Sequence, residues 1–202
     1  MRIQSRFRCT LLYLLLVAAG TSSGNARHLV SALDEDVNGN AALSISQFYA
    51  LSQSCSPHVP AHIMAAIAKT ESAYHPYAVS INYPVSSARR NGFSGKVVML
   101  RQPHGKKEAI HWARWYMAHG YTVSVGLVQV NVEMARKLHV APMALFNPCV
   151  NLAAGAQILS EDYAAAIRDG AGLMAAYSLY NSGSISKGVE NGYAGSVSRN
   201  DR

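Results

Sequence analysis

Apolar residues recur at helical spacing in five stretches of the chain, and one long segment between them keeps no such period. Phe48 and Leu51 open a helical pattern from Ser46. Ile63, Ile67 and Glu71 then stand at i, i+4 and i+8, flanked by Met64 and Ala68, after a proline at position 60 that suits a helix start. Ala109, Trp112, Ala113 and Tyr116 mark a third helix over 106–119, with Gly120 as its stop. Leu152, Ala156, Leu159 and Tyr163 mark a long fourth one, and Leu173, Ala176, Tyr177 and Tyr180 a fifth. Residues 75–105 are rich in proline, glycine and polar side chains and read as loop with a short hairpin, and short apolar strings follow at 123–132. At 202 residues the chain fits one domain of this kind, mainly α with a small irregular or β insertion. No repeat or low-complexity tract interrupts it.

The N-terminus follows a different rule. Arg2, Arg6 and Arg8 precede an apolar run over 11–19 and then a small polar stretch ending at Ala26, the pattern of a removable signal peptide over 1–26. The run is about half of the ~20 residues that a membrane-spanning helix needs, and no other segment is long and apolar enough to span. Export is therefore expected, to the periplasm. Removing 1–26 leaves 15 basic against 11 acidic residues. That modest positive balance suits an anionic wall polymer or simple solubility, and without a basic run interleaved with aromatics it disfavours nucleic acid. It also leaves two cysteines, Cys55 and Cys149. In an exported protein they read as one disulfide, with two buried thiols as the alternative.

Residues 27–44 read as an irregular leader, 45–198 as the domain and 199–202 as a tail. The leader holds Asp34, Asp36, Asn38 and Asn40 at calcium-loop spacing, but Ile45 stands where the bidentate glutamate belongs, so a solvated linker is the better reading. Cys55, His58 and His62 resemble part of a zinc site, yet the two histidines share a helix face only if the helix begins before Pro60. No metal is expected.

Glu71 carries the chemistry. A carboxylate at the C-terminal end of an apolar helical stripe is partly desolvated and faces the negative helix pole. Both effects oppose ionisation and suit a general acid. A charge at a fraying helix end has the same local pattern, so spacing by itself does not decide.

Four blocks in matching order decide it. Ile67-Ala68-Lys69-Thr70-Glu71-Ser72 leads into Tyr77-Ala78-Val79. Gly126-Leu127-Val128-Gln129-Val130-Asn131 follows. Phe146-Asn147-Pro148-Cys149-Val150-Asn151-Leu152 comes next, with Gly155 and Leu159. Tyr180-Asn181-Ser182-Gly183 is last, with Gly188 and Asn191-Gly192-Tyr193. Together they resemble the lysozyme-like lytic transglycosylases, in particular the small exported ones that accompany type IV secretion and conjugation machinery.

The resemblance implies a lysozyme-like α+β fold with a substrate cleft, cleavage of peptidoglycan glycan strands and a Cys55–Cys149 disulfide. It implies no cofactor. Glu71 would protonate the oxygen between N-acetylmuramic acid and N-acetylglucosamine, then act as base while the muramyl C6 hydroxyl closes a 1,6-anhydro ring. Ser72 would lie beside the scissile bond, Gln129, Asn131 and Asn181 would line the cleft, and Tyr180 would reach Glu71 through its hydroxyl. Channel components are the implied partners.

Three positions depart from the pattern: Ser124 replaces an aspartate, Val128 a methionine and Leu179 an alanine. A hydrolase of the same fold and a non-catalytic wall-binding factor are the competing readings. A two-carboxylate hydrolase needs a second acid about 5–10 Å away, and only Glu108, in a charged surface patch, and Glu133, at a helix start, stand in the middle of the chain besides Glu71.

Overall fold

A computed structural model describes residues 42–82, 96–97 and 101–201. The expected signal peptide over 1–26 and the calcium-like stretch over 34–40 lie outside these residues.

Helix α1 (Ile45–Cys55) begins at a reciprocal cap. The Ser44 hydroxyl accepts from the Gln47 amide, and the Gln47 side chain accepts from the Ser44 amide. Two donors that the first helical turn leaves unpaired are thereby satisfied. Its buried residues Phe48, Leu51, Ser52 and Cys55 fall at i, i+3, i+4 and i+7, a single stripe. Helix α2 (Ala61–Ser72) buries five consecutive positions, Met64 to Ala68, so it is enclosed on more sides than the Ile63–Ile67–Glu71 stripe alone implied. Three of the five are alanines, which lets neighbouring backbones approach closely. The helix stops in two left-handed residues, Ala73 at φ 51° and Tyr74 at φ 67°. Such a conformation costs about 1–2 kcal/mol per non-glycine residue. The Tyr74 ring packs 5.2 Å from Phe48 and helps to hold the reversal.

The irregular segment contains the expected hairpin, but as part of a larger sheet. Strands β1 (Val79–Asn82), β2 (Lys96–Val97), β3 (Thr122–Val125) and β4 (Val130–Asn131) form an antiparallel sheet in the order β2-β1-β3-β4. Helix α3 (Lys106–Ala118) packs against β1 and β3, with Ala109 and Ala113 as its buried positions. Helix α4 (Val132–Lys137) follows β4 directly, capped by the Asn131 side chain, which accepts from the Glu133 amide. Glu133 itself sits in the first turn, where a negative charge complements the helix N-terminus, and pairs with Arg136.

A 3-10 turn over Pro142–Phe146 leads to α5 (Pro148–Arg168), whose N-cap Asn147 accepts from the amides of Cys149 and Val150. The remaining helices are α6 (Leu173–Ser182), α7 (Lys187–Glu190) and α8 (Tyr193–Asn200). Residues 199 and 200, expected as tail, are the last turn of α8. Cys55 and Cys149 are bonded, joining the end of α1 to the start of α5 across 94 residues. Closing a loop of that size stabilises the fold by about 4–5 kcal/mol in the chain-entropy account. It also withdraws Cys55 from any zinc site with His58 and His62. Among the described residues no group of three metal-ligating side chains converges, and no helix is long and apolar enough to cross a membrane.

Candidate active site

Glu71 lies in the last turn of α2, half-buried, and opens onto a cleft of about 730 Å³. Helix α2 and the sheet supply one wall, through Thr70, Ser80, Ser124, Gln129 and Asn131. Helices α6 and α8 and the loop before α8 supply the other, through Tyr180, Asn181, Asn191, Tyr193, Ser196 and Arg199. The two walls are tied beside Glu71, where Asn200 donates to the Thr70 hydroxyl over 2.9 Å.

Strand register builds the polar floor. Ser80 pairs with Ser124 across β1 and β3, and Ser124 with Asn131 across β3 and β4. Strand side chains alternate between faces, so these three stand in one row, all lining the cleft. Their neighbours Val79, Ile81, Val123 and Val125 point the other way and are buried. Ser124, the position that departs from aspartate, therefore belongs to the cleft floor, within 3.4 Å of the Asn131 amide.

The turn between β3 and β4 carries Gln129 at φ 48°. Asn151, fully buried on α5, holds that turn by accepting from the Val128 amide at 3.0 Å and donating to the Val125 carbonyl at 2.8 Å. Gly126 has φ 84°, and a Cβ there would stand 2.3 Å from the Asn151 side chain, so both backbone and space require glycine. Gln129 spends its own amide hydrogens on the carbonyls of Gly126 and Ala78, at 2.9 and 3.1 Å. Its side-chain carbonyl is what remains for a ligand. Asn131 is likewise shared between the cleft and the α4 cap.

Two expected contacts differ. Ser72 does not line the cleft; its hydroxyl lies 2.7 Å from the Leu127 carbonyl and 3.1 Å from that of Ala68, tying the end of α2 to the turn. Tyr180 lines the cleft, but its single proton goes to the Val128 carbonyl at 2.7 Å and not to Glu71. Burial, then the charges of Glu71 and Asp162, hold the Tyr180 pKa well above the usual phenol value. Tyr193 is the phenol whose hydroxyl interacts with the Glu71 carboxylate, and its pKa is pushed up by burial first and then by that charge. Tyr193 stood within the terminal Gly-Tyr motif without being singled out. Ser80, Ser196 and Arg199 carry no local sequence signal.

Glu71 is the one carboxylate among the described lining residues. Glu108 is committed elsewhere, to Arg101 at 2.6 Å and to the His104 amide, and Glu133 pairs with Arg136. Residues 83–95 and 98–100 contain no acid, and Asp34, Glu35 and Asp36 lie outside the described residues.

Three of the four sequence blocks thus line one cleft, the remaining one holds its turn through Asn151, and residues 48–201 match the family model described as transglycosylase SLT domain. The chain belongs to this family. It is similar to the type IV secretion system protein virB1 of Brucella abortus, at 34% identity over 148 residues, covering 71% of this chain and 57% of that protein. It is also similar to protein virB1 of Agrobacterium fabrum, at 31% over 165 residues, covering 79% and 61%. A third relative is protein virB1 of Rhizobium radiobacter, at 29% over 158 residues, covering 77% and 61%. The SLT chain thus spans about three-fifths of the length of these relatives. No solved structure gives a significant match. The two apolar departures from the family pattern sit in packed surroundings: Val128 is fully buried with a methyl 2.4 Å from where a Cβ on Gly155 would be, and Leu179 packs on the core.

Proposed function

We propose that this SLT-family chain is a peptidoglycan lytic transglycosylase, exported to the periplasm, that opens the wall locally for a type IV secretion apparatus. The observation that carries the reading is Glu71, the one carboxylate among the described cleft residues, between a polar sheet row and two partly buried tyrosines. The secretion context rests on the names of the relatives.

Glu71 begins protonated and gives its proton to the glycosidic oxygen as the bond to the muramyl anomeric carbon breaks. The resulting carboxylate then takes the proton of the muramyl C6 hydroxyl, whose oxygen bonds to the anomeric carbon. The 1,6-anhydro ring closes, no water is consumed and Glu71 is protonated again. One acid suffices because the nucleophile belongs to the substrate. Ser80, Ser124, Asn131 and the Gln129 carbonyl supply neutral donors and acceptors for acetamido and hydroxyl groups.

Digestion of purified sacculi tests this directly. Mass spectrometry of the released muropeptides should find anhydro ends; reducing ends alone would instead establish a hydrolase of the same fold. Glu71→Gln should lower the rate by about 100-fold or more, the scale of lost general acid–base catalysis. A variant that digests sacculi at the wild-type rate would leave a non-catalytic wall-binding role.

A further inference from the structure

Among the described residues the cleft lining holds two charged side chains, Glu71 and Arg199, and the proposed reaction uses only the first. Arg199 sits in the last turn of α8, exposed at the cleft margin. Its guanidinium donates to the Ser196 hydroxyl at 2.9 Å, one turn back on the same helix. Among the described residues no carboxylate forms an ion pair with it. A guanidinium has five N–H donors in a planar fork, so most of this one remains available to a ligand in the cleft. The neighbouring Asn200–Thr70 hydrogen bond anchors this turn next to Glu71.

The sugars of a glycan strand are uncharged, and a cation gains little from them. The carboxylates of peptidoglycan belong to the peptide stems carried on muramic acid. We infer that Arg199 is a specificity-determining residue that pairs with a free carboxylate of the peptide stem next to the bond being cut. This rests on the proposed peptidoglycan reading. Every other described lining residue except Glu71 is neutral, so among the described residues Arg199 is the cation that the cleft offers to the stem anion. Arg199 would then select stem-bearing strands over bare or neutralised ones.

The test compares wild type, Arg199→Gln and Arg199→Lys on three soluble substrates: strands with intact stems, strands whose stem carboxyls are converted to carboxamides, and strands stripped of stems by an amidase. A charge-assisted pair at an exposed margin predicts a loss of kcat/KM for Arg199→Gln of about 3–10-fold on intact strands. The loss should lie in KM, with kcat retained and Arg199→Lys recovering part of it. On carboxamide strands wild type should fall to the level of Arg199→Gln. Equal kcat/KM for wild type and Arg199→Gln on intact strands overturns the assignment, as does a difference that persists on carboxamide strands. A difference that persists on stripped strands moves the anion to the lactyl carboxylate and overturns the stem assignment.

Binding of the same three substrates to Glu71→Gln, with and without Arg199→Gln, gives a readout independent of turnover. Loss of activity in every form with the binding difference retained would sink the transglycosylase reading and leave the Arg199 assignment standing.

Discussion

Tyr180 donates its hydroxyl proton to the main-chain carbonyl of Val128 over 2.7 Å, linking residues 52 apart in sequence. The bond ties α6 to the turn that carries Gln129 into the cleft. Gly155 makes room for the contact, since a Cβ there would approach the Tyr180 hydroxyl to 3.1 Å and a Val128 methyl to 2.4 Å. Tyr180→Phe removes the donor and leaves a buried carbonyl unpaired. A loss of about 1–3 kcal/mol is expected in urea unfolding. An unchanged midpoint would mean that the tie contributes nothing to stability.

Tyr193→Phe separates the second phenol from that structural role. The Tyr193 hydroxyl makes no full hydrogen bond to a protein group other than its approach to Glu71. Its pKa is driven up, so it stays protonated throughout the working pH range. A phenol O–H facing a carboxylate favours the ionised form. Deleting it should move the Glu71 limb of the kcat/KM profile to higher pH while the melting temperature stays near wild type. A profile superimposable on wild type would remove Tyr193 from the site.

Asp162 gives a prediction about stability and pH. Burial, and then the charge of Glu161, raise its pKa to about 6 from an ordinary 3.8, and one of its oxygens is buried without a partner. Between these two values the folded state holds more protons than the unfolded one, so stability falls as pH rises from about 4 through 6. Asp162→Asn should therefore stabilise the protein at pH 7.5 and be nearly neutral below pH 4. The gain is about 1 kcal/mol, discounted because the group is only half-buried. Equal effects of the substitution at both pH values would refute this account.

Gly126→Ala combines two costs. The backbone stays at φ 84°, and the new methyl meets Asn151, which must move off the amide of Val128 and the carbonyl of Val125. A destabilisation of about 2–4 kcal/mol is expected. Activity should fall further than global stability requires, because the same turn presents Gln129. Chemical unfolding and turnover, both measured well below the melting temperature, distinguish the two contributions.

The parts legible in the sequence were the local ones. Helical periodicity located α2 and put Glu71 near its end, because the spacing of Ile63, Ile67 and Glu71 follows from helix geometry alone. Gly126 and Asn151 were visible as members of ordered motifs, but their contact was not, since 25 residues and a strand turn separate them. The alternation Val79-Ser80-Ile81 is that of a two-faced strand, yet the row Ser80–Ser124–Asn131 depends on strand register, and its first two members lie 44 residues apart in sequence. Tyr180 was expected at Glu71 on the strength of resemblance. Where its one proton goes depends on the nearest carbonyl, and that is a matter of packing.

The sequence by itself determined the five longer helices, though not the extent of α4, nor α7 or α8, and which acid stands at the end of α2, because these follow from contacts within about two turns. It also supplied the cysteine pair that spans most of the domain. Only the tertiary structure decided which polar groups remain free to meet a ligand. Ser72, Gln129 and Tyr180 give their donors to backbone carbonyls brought in from elsewhere in the chain, while Tyr193 and Arg199 keep theirs toward the cleft. A hydrogen bond is spent on whatever acceptor folding brings within 3 Å, and no local pattern records that choice.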